Sequence, residues 1–177
     1  MIRWQTLSQG GLALLLLLCS PVKAAENMIF SGALVNAPCT LRPGDEAIEL
    51  EFRTVIDKFL YSDTRTPAQP FALHLEDCDA AVAKGVKVTF MGNESAALPG
   101  LLALDASSVA RGVAIGIENS AGQQVPLNVQ SAIIPLTQGD MAIGFQAYVQ
   151  IEPAAKANQG VVYGIFSATA TFALDYQ

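Results

Sequence analysis

Residues with types suited to chemistry are few and poorly placed for it. His74 is the only histidine among 177 residues, and it sits inside the alternating run Phe71-Ala72-Leu73-His74-Leu75. A histidine in that setting reads as a satisfied strand residue ahead of a catalytic base. Glu76, Asp77 and Asp79 crowd around Cys78 and raise the idea of paired carboxylates or a calcium site. A solvated strand end beside a cystine accounts for them better. No nucleophile elbow, phosphate loop or zinc-protease motif is present, and two cysteines with one histidine fall short of four metal ligands. No catalytic residue, metal or cofactor is assigned. Asn93-Glu94-Ser95 matches a glycosylation sequon and carries no weight by itself.

The cysteines make sense once the N-terminus is read. Arg3 is followed by Gly10-Gly11-Leu12-Ala13-Leu14-Leu15-Leu16-Leu17-Leu18, an apolar run stopped by Ser20-Pro21. The run is shorter than the about 20 apolar residues that span a bilayer, so it reads as a secretory signal peptide over residues 1–24. Val22-Lys23-Ala24 suits a signal peptidase, with cleavage after Ala24 or, alternatively, Ala25. Cys19 suggests lipidation, but Leu18 before it is larger than that processing accepts. The mature chain keeps Cys39 and Cys78, which in an oxidising compartment read as one disulfide, with two buried thiols as the alternative. Removing residues 1–24 takes Arg3 and Lys23 away, leaving 8 basic against 16 acidic residues and a net charge of −8. That balance argues against nucleic acid as a partner.

About 150 residues suit one domain, expected over residues 36–177. Runs of period two, punctuated by Gly and Pro, predict an all-β fold. The strands are expected at Ile48-Leu50-Phe52, Phe71-Leu73-Leu75, Val86-Val88-Phe90, Val113-Ile115-Ile117 and Met141 to Val149, with Val125-Pro126-Leu127 as an edge strand or strand end. One apolar face per strand implies two sheets packed as a β-sandwich, and no segment shows a long helical period.

Two segments stand apart. From Gly164 to Gln177 the pattern is the most regular in the chain: Phe166, Ala168, Ala170, Phe172, Leu174 and Tyr176 share one face. A strand so apolar belongs inside a sheet, yet no later residues follow to flank it. Met28, Phe30, Gly32 and Leu34 share a face of a short β-patterned stretch close behind the cleavage site. An apolar strand at a free end is an aggregation hazard unless it pairs with another molecule.

With these residues in view, the sequence resembles pilins of the chaperone-usher family. The resemblance rests on Phe30-Ser31-Gly32-Ala33-Leu34 leading to Cys39, on the second cysteine at Cys78, and on Gly164 with the penultimate Tyr176. Leu98-Pro99-Gly100 and Arg65-Thr66-Pro67 further resemble minor or tip-proximal subunits. The resemblance implies an incomplete immunoglobulin-like β-sandwich that lacks its final strand and is completed by donor-strand complementation, a mode of strand addition for which such pilins are a standard example. It implies that residues 25–35 are the donor extension, with Met28, Phe30, Gly32 and Leu34 entering a neighbour. It implies that Gly164, Phe166, Ala168, Ala170, Phe172, Leu174, Tyr176 and Gln177 form the acceptor groove and the strand that a chaperone holds. The implied partners are a periplasmic pilus chaperone, an outer-membrane usher and neighbouring pilin subunits, and the implied location is the fimbrium on the cell surface. A self-contained secreted β-sandwich acting as a binding module or single-domain adhesin is the other reading, since sandwiches host many functions.

Overall fold

In the computed structural model the described residues are 37–177, and residues 36–177 cluster as one compact unit. The donor residues Met28, Phe30, Gly32 and Leu34, like the signal peptide, lie outside the described residues. Seven strands and two short helices follow in the order β1 (Thr40–Leu41), α1 (Asp57–Asp63), β2 (Gln69–Cys78), β3 (Gly85–Met91), β4 (Val113–Asn119), β5 (Ile134–Pro135), β6 (Gly139–Ile151), α2 (Pro153–Ala157) and β7 (Thr171–Tyr176).

They form two antiparallel sheets, β1-β2-β6-β4 and β5-β3-β7. The alternation places Leu73 and Leu75 of β2, Val86 and Val88 of β3, and Val149 and Ile151 of β6 between the sheets, where all six are essentially solvent-free. β2 and β6 share the longest register, with Phe71 opposite Phe145 and Leu73 opposite Ile143. Residues at the same height on neighbouring strands thus send their side chains to the same face, so the period-two pattern becomes one core.

Three expectations about strands are corrected. Residues 48–52 form no strand: Ile48 is exposed, Leu50 and Phe52 are half-buried, and the segment joins no ladder among the described residues. Alternation gives a segment its apolar face but no backbone partner. Val125-Pro126-Leu127 is no strand either. Val125 and Leu127 are buried and bond individually to the Ile117 and Gly100 carbonyls, while Pro126 between them has no N–H to continue a ladder. The C-terminal run is laddered only over Thr171–Tyr176, paired to β3 with Phe172 opposite Phe90 and Tyr176 opposite Val86. Residues 165–170 instead lie beside the loop at 105–110, which donates to the Ile165 and Ser167 carbonyls from Val109, Ala110 and Asp105.

The two helices had no expected counterpart. α1 has seven residues and buries only Leu60, and α2 has five, begins at Pro153 and buries only Ala155. Neither is long enough to show a helical period.

Candidate functional site: an open groove between the sheets

Among the described residues β7 has one ladder partner. It ends the order β5-β3-β7, so within them its other edge presents backbone groups that join no ladder. Beside that edge the two sheets do not close. A groove of about 1270 Å³ runs between them, floored by core side chains including Leu73, Phe90, Ile115 and Ile117.

One lip is the C-terminal run. Phe166, Ala168, Ala170, Phe172, Leu174 and Tyr176 are all half-buried, and every odd-numbered residue from Ile165 to Gln177 is exposed. The even face meets the core on one side and is uncovered on the other. Burial also pushes the Tyr176 phenol pKa up. The opposite lip is the stretch at residues 46–53. Phe52 reaches across to Phe166, ring centroids 6.2 Å apart, at the Gly164 end. Toward the Phe172 end, the lining residues Phe90 and Phe71 rest on the buried Phe145, Phe90 edge to face at 5.0 Å and Phe71 stacked at 5.7 Å, in favourable aromatic geometry.

Gly164 marks the head of the groove for a steric reason. A β-carbon there would lie 2.5 Å from Val109 Cγ1 and 2.6 Å from its Cβ, so only glycine lets the 105–110 loop close over the strand. Ser108 fastens that closure: its hydroxyl donates to the Ser167 carbonyl and accepts the Ser167 N–H, each at 3.0 Å. At the other end, the Gln177 carbonyl oxygen accepts from Lys84 N–H at 2.7 Å and more weakly from Gly85 N–H at 3.3 Å.

Of the candidate acceptor residues, Gly164, Phe166, Ala168, Ala170 and Phe172 line the groove, while Leu174, Tyr176 and Gln177 continue β7 beyond its lining. Sequence reasoning missed the second lip's role and the Ser108 clasp. The alternation of Ile48, Leu50 and Phe52 was the available signal for the lip; a lone serine in a loop carries none.

The Cys39–Cys78 disulfide forms, joining the start of β1 to the end of β2. The acidic residues near it are engaged separately. Glu76 pairs with Arg42 at 2.8 Å, Asp79 accepts the Ala81 N–H, and the Asp77 N–H donates to Asp140. No group of three metal-ligating side chains gathers among the described residues. His74 is tied to Asp45, whose Oδ2 accepts the His74 backbone N–H at 2.6 Å and lies 2.9 Å from its Nδ1.

That backbone hydrogen bond is the main reason the Asp45 carboxyl is held below the usual carboxylate range. Because the folded pKa is depressed, the contribution to stability is present above the unfolded value near 4 and is lost as pH falls through the folded one. Asp45→Asn should accordingly lower stability near neutrality, where the contribution is present, and flatten the acid limb, so that the two proteins converge as pH falls below about 4. Denaturant midpoints measured from pH 2 to 7 check this; parallel curves for the two proteins would refute it.

A family model described as Fimbrial protein matches residues 28–177. An uncharacterized fimbrial-like protein of Escherichia coli K12, YfcP, is 37% identical over 166 residues, covering 92% of this chain and 90% of its own. The Escherichia coli fimbrial adapter PapK is 33% identical, with 96% and 98% covered. Among solved structures, the P pilus rod subunit PapA superposes with a TM-score of 0.68 at 25% identity, over 80% of this chain and all of that one. The sandwich is thus an immunoglobulin-like pilin fold, and the chain belongs to the fimbrial protein family as an exported structural subunit of chaperone-usher surface pili, not an enzyme.

Proposed function

We propose that the groove is the seat for a β-strand supplied by another subunit, and that residues 25–35 of this chain serve the same purpose in a neighbour. The observation that carries the reading is the groove itself: an open floor of core residues beside a strand edge that, among the described residues, has no ladder partner. An inserted strand would pair its backbone with β7 and send alternate side chains onto Phe90, Ile115 and Ile117. Burying Met28, Phe30 and Leu34 contributes roughly 5–9 kcal/mol per junction as an upper bound before ordering costs. Gly32 would be the point of closest approach to the groove floor.

Before assembly the same edge requires cover, and a periplasmic chaperone strand supplies it until the outer-membrane usher exchanges it for the next subunit's extension. A chaperone's basic pair would take the Gln177 carboxylate through the oxygen left free by Lys84 and Gly85. The similarity to an adapter favours an interior subunit that both accepts and donates a strand, supporting adhesion through the fibre it helps to build.

Residues 25–177 alone should be aggregation-prone. The same chain with residues 25–38 fused after Gln177 through a short turn should be a monomer whose thermal midpoint is higher by about 10 °C or more. Phe172→Asp should abolish the gain by spoiling acceptance, and Phe30→Asp in the fused copy should abolish it by spoiling donation. If the unfused chain is already a stable monomer with the same midpoint, the sandwich is self-contained and the binding-module reading takes its place.

A further inference from the structure

Charge is spread unevenly around the groove. Among the described residues its charged lining side chains are Glu46, Glu49, Glu51 and Arg53, all exposed and all on the lip at residues 46–53. The facing lip, residues 164–172, carries no charged side chain. The two ends of the charged lip differ. Arg53 follows Phe52, whose ring meets Phe166 near Gly164. Glu46 follows Asp45, which is bonded to His74, three residues along β2 from Phe71. Phe71 meets Phe90 at 6.0 Å, and Phe90 lies opposite Phe172. From there β2 runs toward Cys78 and the turn leading to Lys84, which bonds Gln177, and so away from Gly164. The Phe172 end of the groove is therefore acidic, with the Glu46 carboxylate accepting the Gly44 N–H at 2.6 Å.

We propose that Glu46 and the apolar floor beside Phe172 make the groove discriminate against the extension of a second copy of this chain, in favour of a different subunit with no acidic side chain at the position of Glu26. The inference rests on the strand-acceptor reading of the groove and adds the choice of donor to it.

Parity and length carry the argument. Glu26 has the parity of Met28, Phe30, Gly32 and Leu34, the face read as entering the groove. Alternate residues of a strand face the same way, so a donor copy that seats Met28 sends Glu26 inward as well. Residues 26–34 also match the length of the lining run, residues 164–172. Every ladder among the described residues is antiparallel. A donor that continues this pattern puts Leu34 at the Gly164 end and Glu26 at the Phe172 end, over aromatic carbon and beside Glu46.

A carboxylate set there loses water, meets like charge and gains no cation. Arg53 stands at the far end, roughly 26 Å away for eight residues of strand, well beyond the screening length of about 8 Å. Lys84 Nζ is occupied by the Ala80 carbonyl, and Lys87 lies on the outer face of β3, opposite Asp175. A repulsive element of this kind separates partners whose apolar side chains fit equally well.

Three peptides of residues 25–36 test the proposal: the parent sequence, Glu26→Gln and Glu26→Lys. Each is refolded with residues 25–177, and its release is followed by exchange against a labelled competitor. The Glu26→Gln peptide should leave on the order of tenfold more slowly than the parent, and the Glu26→Lys peptide at least as slowly as that. Glu46→Lys in the acceptor should reverse the order of the parent and Glu26→Lys peptides. Salt at about 1 M, which needs no variant of the acceptor, should narrow the gap between those two. Equal release of all three peptides, a parent peptide that leaves most slowly, or an order that neither Glu46→Lys nor salt alters overturns the proposal and leaves the groove reading standing. A groove that takes none of the peptides overturns both.

Discussion

Arg65→Ala is expected to lower the unfolding free energy by about 2–3 kcal/mol, a large effect for a side chain nearly half exposed to solvent. The size comes from its partner. Arg65 donates to Glu118 Oε2 at 2.7 Å, and the Glu118 side chain is only 5% exposed, on the outer face of the β2-β6-β4 sheet. Glu118 is buried there because Ala114 and Gly116 beside it on β4 carry almost no side chain. Tyr148 lies flat in the space they leave, where a β-carbon on Gly116 would collide with its ring. Leu101, Leu98 and Ala68 cover the result.

The Arg65 guanidinium stacks 4.4 Å above the Tyr148 ring while holding the carboxylate, and the hydrogen bond to Glu118 is the leading reason its pKa is raised. Removing it strands a buried charge and forfeits a cation–π contact of about 0.5–1 kcal/mol. Water entering the exposed side offsets part of the loss, which keeps the figure below that for a fully buried pair. The midpoint should fall by about 5–10 °C. Glu118→Gln in the Arg65→Ala background should recover most of it, because a neutral amide tolerates the site. An Arg65→Ala protein within 0.5 kcal/mol of the parent, measured by denaturant unfolding, would show that the ion pair contributes nothing. Two segments that the sequence marked separately, Arg65-Thr66-Pro67 and Leu98-Pro99-Gly100, thus meet over a single tyrosine.

Loss of the disulfide is expected to cost more. The bond joins residues 39 positions apart, and closing a loop of that length in the unfolded chain contributes about 4 kcal/mol in the chain-entropy treatment. Cys39→Ser with Cys78→Ser should therefore lower the midpoint by about 10 °C or more, and reduction of the parent protein should match it. The structural consequence bears on assembly. β1 is two residues long and, among the described residues, is laddered to β2, through Thr40 opposite Glu76 and Leu41 opposite Leu75. Without the cystine, residues 38–42 keep this pairing, the Pro38 to Asp79 bond, and the Arg42 contacts to the His74 carbonyl and Glu76. Faster amide exchange at residues 38–42 in the double serine variant would report the loosening. Unchanged midpoints in oxidised and reduced protein would remove the cystine from any account of stability.

The residues themselves determined the fold class, because strand alternation is a local property. Leu73 and Leu75, Val86 and Val88, and Ile143 to Val149 each declare an inward face without knowing what lies opposite. The even face from Phe166 to Tyr176 was legible in the same way, and so was the pairing of two cysteines left over in an exported chain. What stayed hidden depended on partners distant in sequence. Whether residues 48–52 become a strand turns on a neighbour able to accept their backbone bonds, and no pattern within the segment carries that. The burial of Glu118 and Tyr148 on a face expected to be wet required a loop from 95–101 to fold over it. The Ser108 clasp came from a loop whose path no periodicity describes.

The order of residues thus decided that a C-terminal strand exists, apolar on one side. The tertiary structure decided that, among the described residues, its outer edge has no partner beside the groove, because an unpaired edge is a relation between strands and not a property of any one of them.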